Sequence, residues 1–217
     1  MLFSDRMDAG RRLAGAMRHL RGEDVAVLGL PRGGVPVAFE VARELGAALD
    51  VIVVRKLGVP FQPELAFGAI GEGGIRVLNE HVVRDAALTA EQIAAVETRE
   101  RAEVDRLTRS LRGDRAPVPL AGRTAVVVDD GFATGATARA ACQVVRAQGA
   151  RRVVLAAPVA AAATVASLRR DADEVVCPST PDPFFAIGGW YADFAQVDDE
   201  EVVALLAKAG RPAGRGR

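Results

Sequence analysis

Short, uninterrupted apolar runs punctuate the chain, and most are followed by a turn and an amphipathic segment. Runs of this length without alternation are typical of strands buried on both faces. They predict strands at residues 25–30, 51–54, 124–128, 153–157 and 174–177. Apolar residues at helical spacing predict helices at residues 8–20, 35–45, 90–111, 138–148 and 165–171. Because strands and helices alternate, we predict an α/β fold around a central parallel sheet.

The pattern changes between the second and third predicted strands. Residues 67–79 contain two short apolar segments around Gly71-Glu72-Gly73-Gly74, which predicts a β-hairpin. Thr89 is then the predicted N-cap of the long charged helix at residues 90–111. A solvated face explains the charges of this helix most simply, and two further roles, a dimer contact or a lid, stay open. A homodimer is therefore one open expectation.

Composition places the chain among ordinary globular proteins. It has 217 residues, 50% of them hydrophobic and 26% charged, with a formal net charge of zero. This size fits one α/β domain, which we predict for residues 1–210, followed by a disordered tail at residues 211–217. The neutral charge gives no support for a nucleic-acid partner. No apolar run is long enough for a membrane span, no secretory signal is evident, and the two cysteines lie far apart, so we expect a cytoplasmic protein.

The most informative stretch follows the predicted strand at residues 124–128. Two carboxylates, Asp129 and Asp130, come directly after it, and a run of small residues then opens a helix. A helix N-terminus offers free N–H groups to a phosphate, whereas the carboxylates suit sugar hydroxyls or a Mg²⁺-bridged group. A ribose 5-phosphate would use both features, the N–H groups for its phosphate and the carboxylates for its hydroxyls. Asp-Asp-Gly alone would be explained as a plain turn with an N-cap.

At these residues the sequence resembles the type I phosphoribosyltransferases. Val126-Val127-Val128-Asp129-Asp130, followed by a small-residue loop, is similar to that family's phosphoribosyl pyrophosphate signature. The resemblance implies a central parallel sheet with a small hood formed by the N- and C-terminal segments. It also implies that phosphoribosyl pyrophosphate contacts Ala133, Thr134, Gly135, Ala136 and Thr137. Magnesium would be held by Asp129, Asp130 and Asp193.

Two further pieces occur in the order expected of the family. The turn Leu30-Pro31-Arg32-Gly33-Gly34 resembles the one that holds pyrophosphate, often through a cis peptide bond. Arg32 offers a forked donor, and Gly33 and Gly34 expose N–H groups. Arg55 and Lys56 end the second predicted strand, where a basic pair suits the leaving group. Residues 57–64 would then correspond to the family's mobile cover. Without the neighbouring motifs, a glycine turn and ordinary surface charges explain these residues equally well.

The third piece, residues 183–193, is similar to the base-binding hood of hypoxanthine-type members. The resemblance implies stacking or contact with the acceptor base by Phe185, Ile187, Trp190 and Tyr191. It places Asp193 near metal and pyrophosphate. Simple packing of the C-terminal segment is the preferred explanation for Phe184 and Phe194, and it is an even alternative for Phe185, Trp190 and Tyr191.

Two departures remove the purine specificity of those members. Ala133 stands where they carry an Asp, and residues 153–158 lack the Lys that reads a 6-oxo group. We therefore predict phosphoribosyl transfer to a nitrogen nucleophile on an unidentified planar base. Arg32 and Lys56 would stabilise pyrophosphate, and Asp129 and Asp130 would hold the ribose. A non-catalytic sensor of phosphoribosyl pyrophosphate or a nucleotide is the alternative, and a ribose-phosphate hydrolase ranks last because no nucleophile supports it.

Overall fold

A five-stranded parallel sheet forms the centre of the computed structural model, which describes residues 2–210. The predicted tail at residues 211–217 lies outside these residues. The strands of this sheet are β1 (Val25–Gly29), β2 (Ala48–Val51), β6 (Thr124–Val128), β7 (Arg152–Ala156) and β8 (Glu174–Val176). Their spatial order is β2-β1-β6-β7-β8, and every pairing is parallel. The predicted α/β fold with a central parallel sheet is confirmed.

A second sheet of three antiparallel strands lies beside the first. It consists of β3 (Val54–Val59), β4 (Gln62–Gly71) and β5 (Arg76–Leu78), in that spatial order. The predicted hairpin at residues 67–79 is present as the β4–β5 pair. Residues 57–64, predicted to correspond to a mobile cover, form the end of a second hairpin, between β3 and β4.

The predicted strand at residues 51–54 was wrong, because the apolar run is divided between the two sheets. Val51 ends β2 and Val54 begins β3. Between them the Val53 N–H donates to Glu72 Oε1 (3.1 Å) instead of to a neighbouring strand. All four residues of the run are buried, so hydropathy gives no sign of the break.

The helices lie on both faces of the parallel sheet. They are α1 (Arg6–Ala16), α2 (Gly34–Leu45), α3 (Glu80–Asp85), α4 (Ala90–Arg112), α5 (Ala136–Ala147), α6 (Ala162–Leu168) and α7 (Asp199–Ala209). The N-cap at Thr89 is present, with a capping box to Gln92. Helix α1 starts and ends before its predicted bounds, and α6 lies three residues earlier than predicted. Helices α3 and α7 were not predicted, although Asp198 and three acidic residues after it are a helix-start signal.

Each central strand buries side chains on both faces of the sheet. In β6, Val126 and Val128 face the core with α1 and α2, whereas Ala125 and Val127 face the core with α5. This two-sided burial explains why the strand sequences show no alternation. Among residues 2–210, every helix falls short of the length or apolar character needed to cross a lipid bilayer.

A buried ionic network joins the two sheets to α4. Arg112 donates through Nε to Asp50 Oδ1 (3.0 Å), and its other nitrogens contact both oxygens of Glu72. It also donates to the Val51 carbonyl (2.9 Å). All three charged residues are less than 10% exposed. The network therefore connects the end of α4, the edge strand β2 and the turn after β4.

The hood is formed by the two terminal segments, as predicted. The N–H groups of Leu2 and Phe3 donate to the Trp190 carbonyl (2.8 and 2.9 Å). In return the Ala192 and Asp193 N–H groups donate to the carbonyls of Phe3 and Ser4, both at 2.8 Å. These bonds place α1 and the hood at the carboxyl edge of the parallel sheet.

Candidate functional site

Two loops meet at the carboxyl ends of neighbouring strands β1 and β6. The glycine turn, residues 31–34, packs directly on the acidic pair, Asp129 and Asp130. A Cβ atom on Gly34 would lie 2.5 Å from the Val128 carbonyl oxygen, and one on Gly33 would clash with Asp130 Oδ2. Only glycine allows so close an approach. The peptide bond between Pro31 and Arg32 is cis, as the resemblance implies.

The phosphate loop, residues 131–137, surrounds a cavity of about 140 Å³ together with Asp129, Ala138 and Ile187. Gly135 has a left-handed φ of 74° and is the residue from which α5 starts. Ala133, Thr134 and Thr137 are exposed. The first turn of α5 therefore presents N–H groups and hydroxyls to the cavity, a combination that suits a phosphate.

The acidic pair is held in fixed orientations. Asp129 Oδ1 accepts the Asp130 N–H (2.9 Å), and Asp130 Oδ2 accepts from Arg6 Nε (2.8 Å). Burial, reinforced by the neighbouring charge of Asp130, raises the pKa of Asp129 well above its ordinary value of 3.8. Burial also raises the pKa of Asp130, while its bond to Arg6 opposes that rise. The site thus concentrates negative charge that hydroxyl donors or a cation would relieve.

Asp193 does not join the acidic pair, which corrects the predicted magnesium set. Its side chain accepts the Ala195 N–H (2.9 Å) and lines a separate cavity of about 230 Å³. Within residues 2–210 no group of three or more His, Cys, Asp or Glu side chains is placed to hold a metal. Mg²⁺ is commonly held by one or two carboxylates plus substrate phosphates. The acidic pair fits that smaller requirement.

The predicted pyrophosphate cations point in different directions. Arg32 Nε donates to Asp199 of α7 (2.5 Å), and Arg55 Nε donates to Glu100 of α4 (2.9 Å). Lys56 contacts Glu64 of β4 (2.9 Å) and lines a cleft that faces α5. Neighbouring residues of a strand point to opposite faces, so Arg55 and Lys56 diverge. In this structure each of the three cations is paired with its own carboxylate.

The hood residues also separate into different roles. Ile187 packs against Gly131 of the phosphate loop, and Phe185 is 88% exposed. Trp190 stacks on Phe184, with ring centroids 6.4 Å apart. Tyr191 is only 3% exposed, so its predicted stacking on a base is not possible in this conformation. Its hydroxyl instead donates to the Asp130 carbonyl (2.6 Å) and fixes the backbone of the acidic pair.

Arg6 is a site residue that sequence reasoning missed. Besides Asp130, it donates through Nη1 to the Ala195 carbonyl (2.8 Å). Its guanidinium carbon lies 3.9 Å from the centroid of the Phe194 ring. Asp5 caps α1 and so fixes where Arg6 leaves the helix. Because Asp130 lies 124 positions away in the chain, no local pattern could pair it with Arg6.

Comparisons with known proteins agree on one family. The model of the phosphoribosyl transferase domain matches residues 4–193. Two proteins from Mycobacterium tuberculosis strains, provisionally named phosphoribosyl transferases, are each 60% identical over 210 residues, or 97% of this chain. The chain spans about half, 47%, of the length of these curated relatives. The crystal structure of TT1426 from Thermus thermophilus is 46% identical, covers 96% of this chain and 99% of its own, and superposes with a TM-score of 0.90.

Proposed function

Because the chain belongs to the phosphoribosyl transferase domain family, we propose that it transfers a phosphoribosyl group from phosphoribosyl pyrophosphate to a nitrogen nucleophile. The observation that carries the proposal is the phosphate loop beside the acidic pair. The anion-binding start of α5 and Asp129 line one cavity at the carboxyl edge of the sheet, and Asp130 follows Asp129 directly in the chain. This arrangement matches a ligand with a phosphate at one end and hydroxyls next to it.

The phosphate loop would hold the 5-phosphate through the hydroxyls of Thr134 and Thr137 and the N–H groups that open α5. Asp129 and Asp130 would accept hydrogen bonds from the ribose hydroxyls. As the bond from C1 to pyrophosphate lengthens, positive charge develops on the ribose. Carboxylates fixed in a site of low polarity stabilise such charge strongly. The tasks of the protein are therefore positioning and electrostatic stabilisation rather than covalent catalysis.

Magnesium is part of the proposal. Asp129 and Asp130 would hold it, and when bound it would offset the negative charge of the pyrophosphate. Asp129 Oδ1 is engaged by a backbone N–H and Asp130 Oδ2 by Arg6, so one oxygen of each carboxylate makes no hydrogen bond among residues 2–210. Those two oxygens are the expected metal contacts.

The proposed acceptor is a planar base other than a standard 6-oxopurine. Phe185 presents an exposed ring on the hood segment, and an aromatic face selects flat rings without reading their edges. Ala133 and the buried apolar residues 153–157 offer no side chain to read a 6-oxo group. Pyrophosphate release measured with hypoxanthine, guanine, xanthine, adenine, uracil and orotate tests this choice. Efficient turnover of hypoxanthine or guanine would refute it.

The central experiment is a thermal melt with phosphoribosyl pyrophosphate, with and without Mg²⁺. Ligand at 100 times its dissociation constant adds about 2.7 kcal/mol of stability, which corresponds to an increase in Tm of roughly 5–10 °C for a chain of this size. In the Thr137→Ala variant, the stabilisation by the ligand should be smaller by about 0.5–1.5 kcal/mol, because one hydrogen bond to the ligand is removed. The matched control is Thr98→Ala on the exposed side of α4, which should keep all of it. No shift at millimolar ligand would contradict the proposal.

A sensor without turnover is the second candidate. The observation that favours it is that Arg32, Arg55 and Lys56 are all paired with internal carboxylates rather than directed together at a leaving group. A sensor would show the same Mg²⁺-dependent thermal shift. It would release no pyrophosphate with any member of the acceptor panel, so the two assays together separate the candidates.

A further inference from the structure

We infer that Arg6 of α1 binds the pyrophosphate group of phosphoribosyl pyrophosphate. The inference rests on the proposed function and adds a residue from the N-terminal helix to the site. Arg6 lies where three segments converge: the acidic pair through Asp130, the hood tail through Ala195 and Phe194, and the glycine turn through Gly33. A Cβ atom on Gly33 would lie 3.1 Å from Arg6 Nε, so the guanidinium is in contact with this turn.

The glycine turn offers further donors beside this guanidinium. The N–H groups of Arg32 and Gly33 donate no hydrogen bond within residues 2–210, whereas those of Gly34 and Val35 bond to Leu30 and Arg32. Two free N–H groups next to a guanidinium form a site for a multivalent anion. The pyrophosphate is attached to C1 of the ribose. With the ribose hydroxyls on Asp130, the cation that touches Asp130 is the one closest to the leaving group.

Burial distinguishes Arg6 from the other cations of the region. Its side chain is 11% exposed, compared with 36% for Arg32, 49% for Arg55 and 33% for Lys56. A charge in a less polar environment interacts more strongly with a ligand anion. Arg32, Arg55 and Lys56 are paired with carboxylates outside the acidic pair, whereas the partner of Arg6 is Asp130, a carboxylate of the site itself.

The side of Arg6 on which the anion binds follows from its neighbours. The separate cavity of about 230 Å³ is also lined by Arg6, but the other charged residues there are Asp5, Asp193 and Glu201. These carboxylates would repel pyrophosphate. The anion is therefore placed on the side of the glycine turn. When the ligand binds, Asp130 exchanges Arg6 for ribose hydroxyls, and Arg6 exchanges Asp130 for pyrophosphate.

Comparing the binding of two ligands distinguishes a role of Arg6 in pyrophosphate binding from a purely structural role. Phosphoribosyl pyrophosphate and ribose 5-phosphate differ only in the group assigned to Arg6. In calorimetric titrations with Mg²⁺, Arg6→Met should weaken the first ligand about 10- to 100-fold, the range expected for hydrogen bonds to a charged group. Binding of ribose 5-phosphate should be weakened clearly less, because this ligand lacks the pyrophosphate and is affected only through the loss of the charge beside Asp130. Arg12→Met is the matched control, because Arg12 lies on the same helix and is 53% exposed.

Arg6→Lys is a second variant, which keeps the inference testable if Arg6→Met fails to fold. It keeps the charge beside Asp130 but has fewer donors, so it should bind ribose 5-phosphate normally and phosphoribosyl pyrophosphate less tightly. Equal weakening of both ligands, or a Lys variant with the wild-type preference, would overturn the inference alone. If the unaltered protein binds neither ligand, the proposed function itself fails and the inference falls with it.

Discussion

The two loops at the carboxyl edge of the sheet are built in opposite ways. The phosphate loop after β6 is local: seven consecutive residues, a helix start and a backbone turn create its cavity without any side chain from elsewhere except the hood. The cationic region, which we define as Arg6, Arg32, Arg55 and Lys56, takes its charges from α1, from the glycine turn after β1 and from β3. Each charge there is matched by a carboxylate from a different element.

This difference indicates which part of the site must rearrange when the ligand binds. The phosphate loop is largely preorganised, because the N–H groups that it offers at the start of α5 are fixed by the helix. The cationic region is neutralised internally, so a pyrophosphate has to replace existing ion pairs. We therefore expect the phosphate to be bound by a rigid part of the molecule and the leaving group by a part that exchanges partners. Three substitutions test this contrast.

The largest effect is expected at the contact between the two loops. Gly34→Ala places a Cβ atom against the Val128 carbonyl and Asp129 Cα, both backbone atoms that cannot move aside. We expect a loss of about 1–3 kcal/mol in unfolding free energy and no detectable ligand binding. The control is Gly15→Ala on the exposed face of α1, where a Cβ meets nothing within 4 Å. This variant should gain about 0.5–1 kcal/mol. Urea unfolding measures both, and similar values for the two would show that the loops are not in tight contact.

An effect of intermediate size is expected at Asp129. Its raised pKa means that the native state keeps a proton that the unfolded chain has lost. The stability of the natural protein therefore falls as pH rises from 3.8 through the raised pKa. Asp129→Asn removes this dependence and keeps the acceptor for the Asp130 N–H. Above that pH range we expect Tm to rise by roughly 2–4 °C, the equivalent of about 1 kcal/mol, while ligand binding is lost. The two proteins should melt alike near pH 3.8, and a variant less stable than the natural protein at neutral pH would contradict the prediction.

The smallest effect is expected at the exposed end of the cationic region. Glu64 is 87% exposed in its pair with Lys56. Glu64→Gln should change the unfolding free energy by no more than about 0.5 kcal/mol, because exposed ion pairs contribute little. Releasing Lys56 should tighten phosphoribosyl pyrophosphate by a factor of about two to five, which is the strength of such a pair. Weaker binding in a fluorescence or calorimetric titration would show that Glu64 positions Lys56 rather than competing for it.

The contrast between the local phosphate loop and the cationic region assembled from distant elements also explains what could be predicted from the sequence. The strand at residues 124–128, the acidic pair and the phosphate loop are continuous in the chain, and the structure places them as one unit. The directions of Arg32, Arg55 and Lys56 depend on Asp199, Glu100 and Glu64, of which the first two are distant in the chain and the third lies on the next strand. No local pattern could show these pairings.

The break in the apolar run at residues 51–54 has the same cause. Glu72 takes the Val53 N–H and Arg112 takes the Val51 carbonyl, and neither partner is near the run in sequence. A helix that the sequence did signal, α7, lay within reach of local rules through its N-cap at Asp198. Residues fixed by local rules were predictable, and those fixed by distant ion pairs were not.

The buried network of Arg112, Asp50 and Glu72 also determines how the β3–β4 hairpin can bend. It clamps the hairpin at its root, where β2 and β4 end, to the last turn of α4. The far end, near Phe61, is fixed by no comparable clamp among residues 2–210, and its aromatic ring is 68% exposed. We therefore expect the end of the hairpin near Phe61 to move more than the end held by the ionic network. Lys56 lies between these two ends.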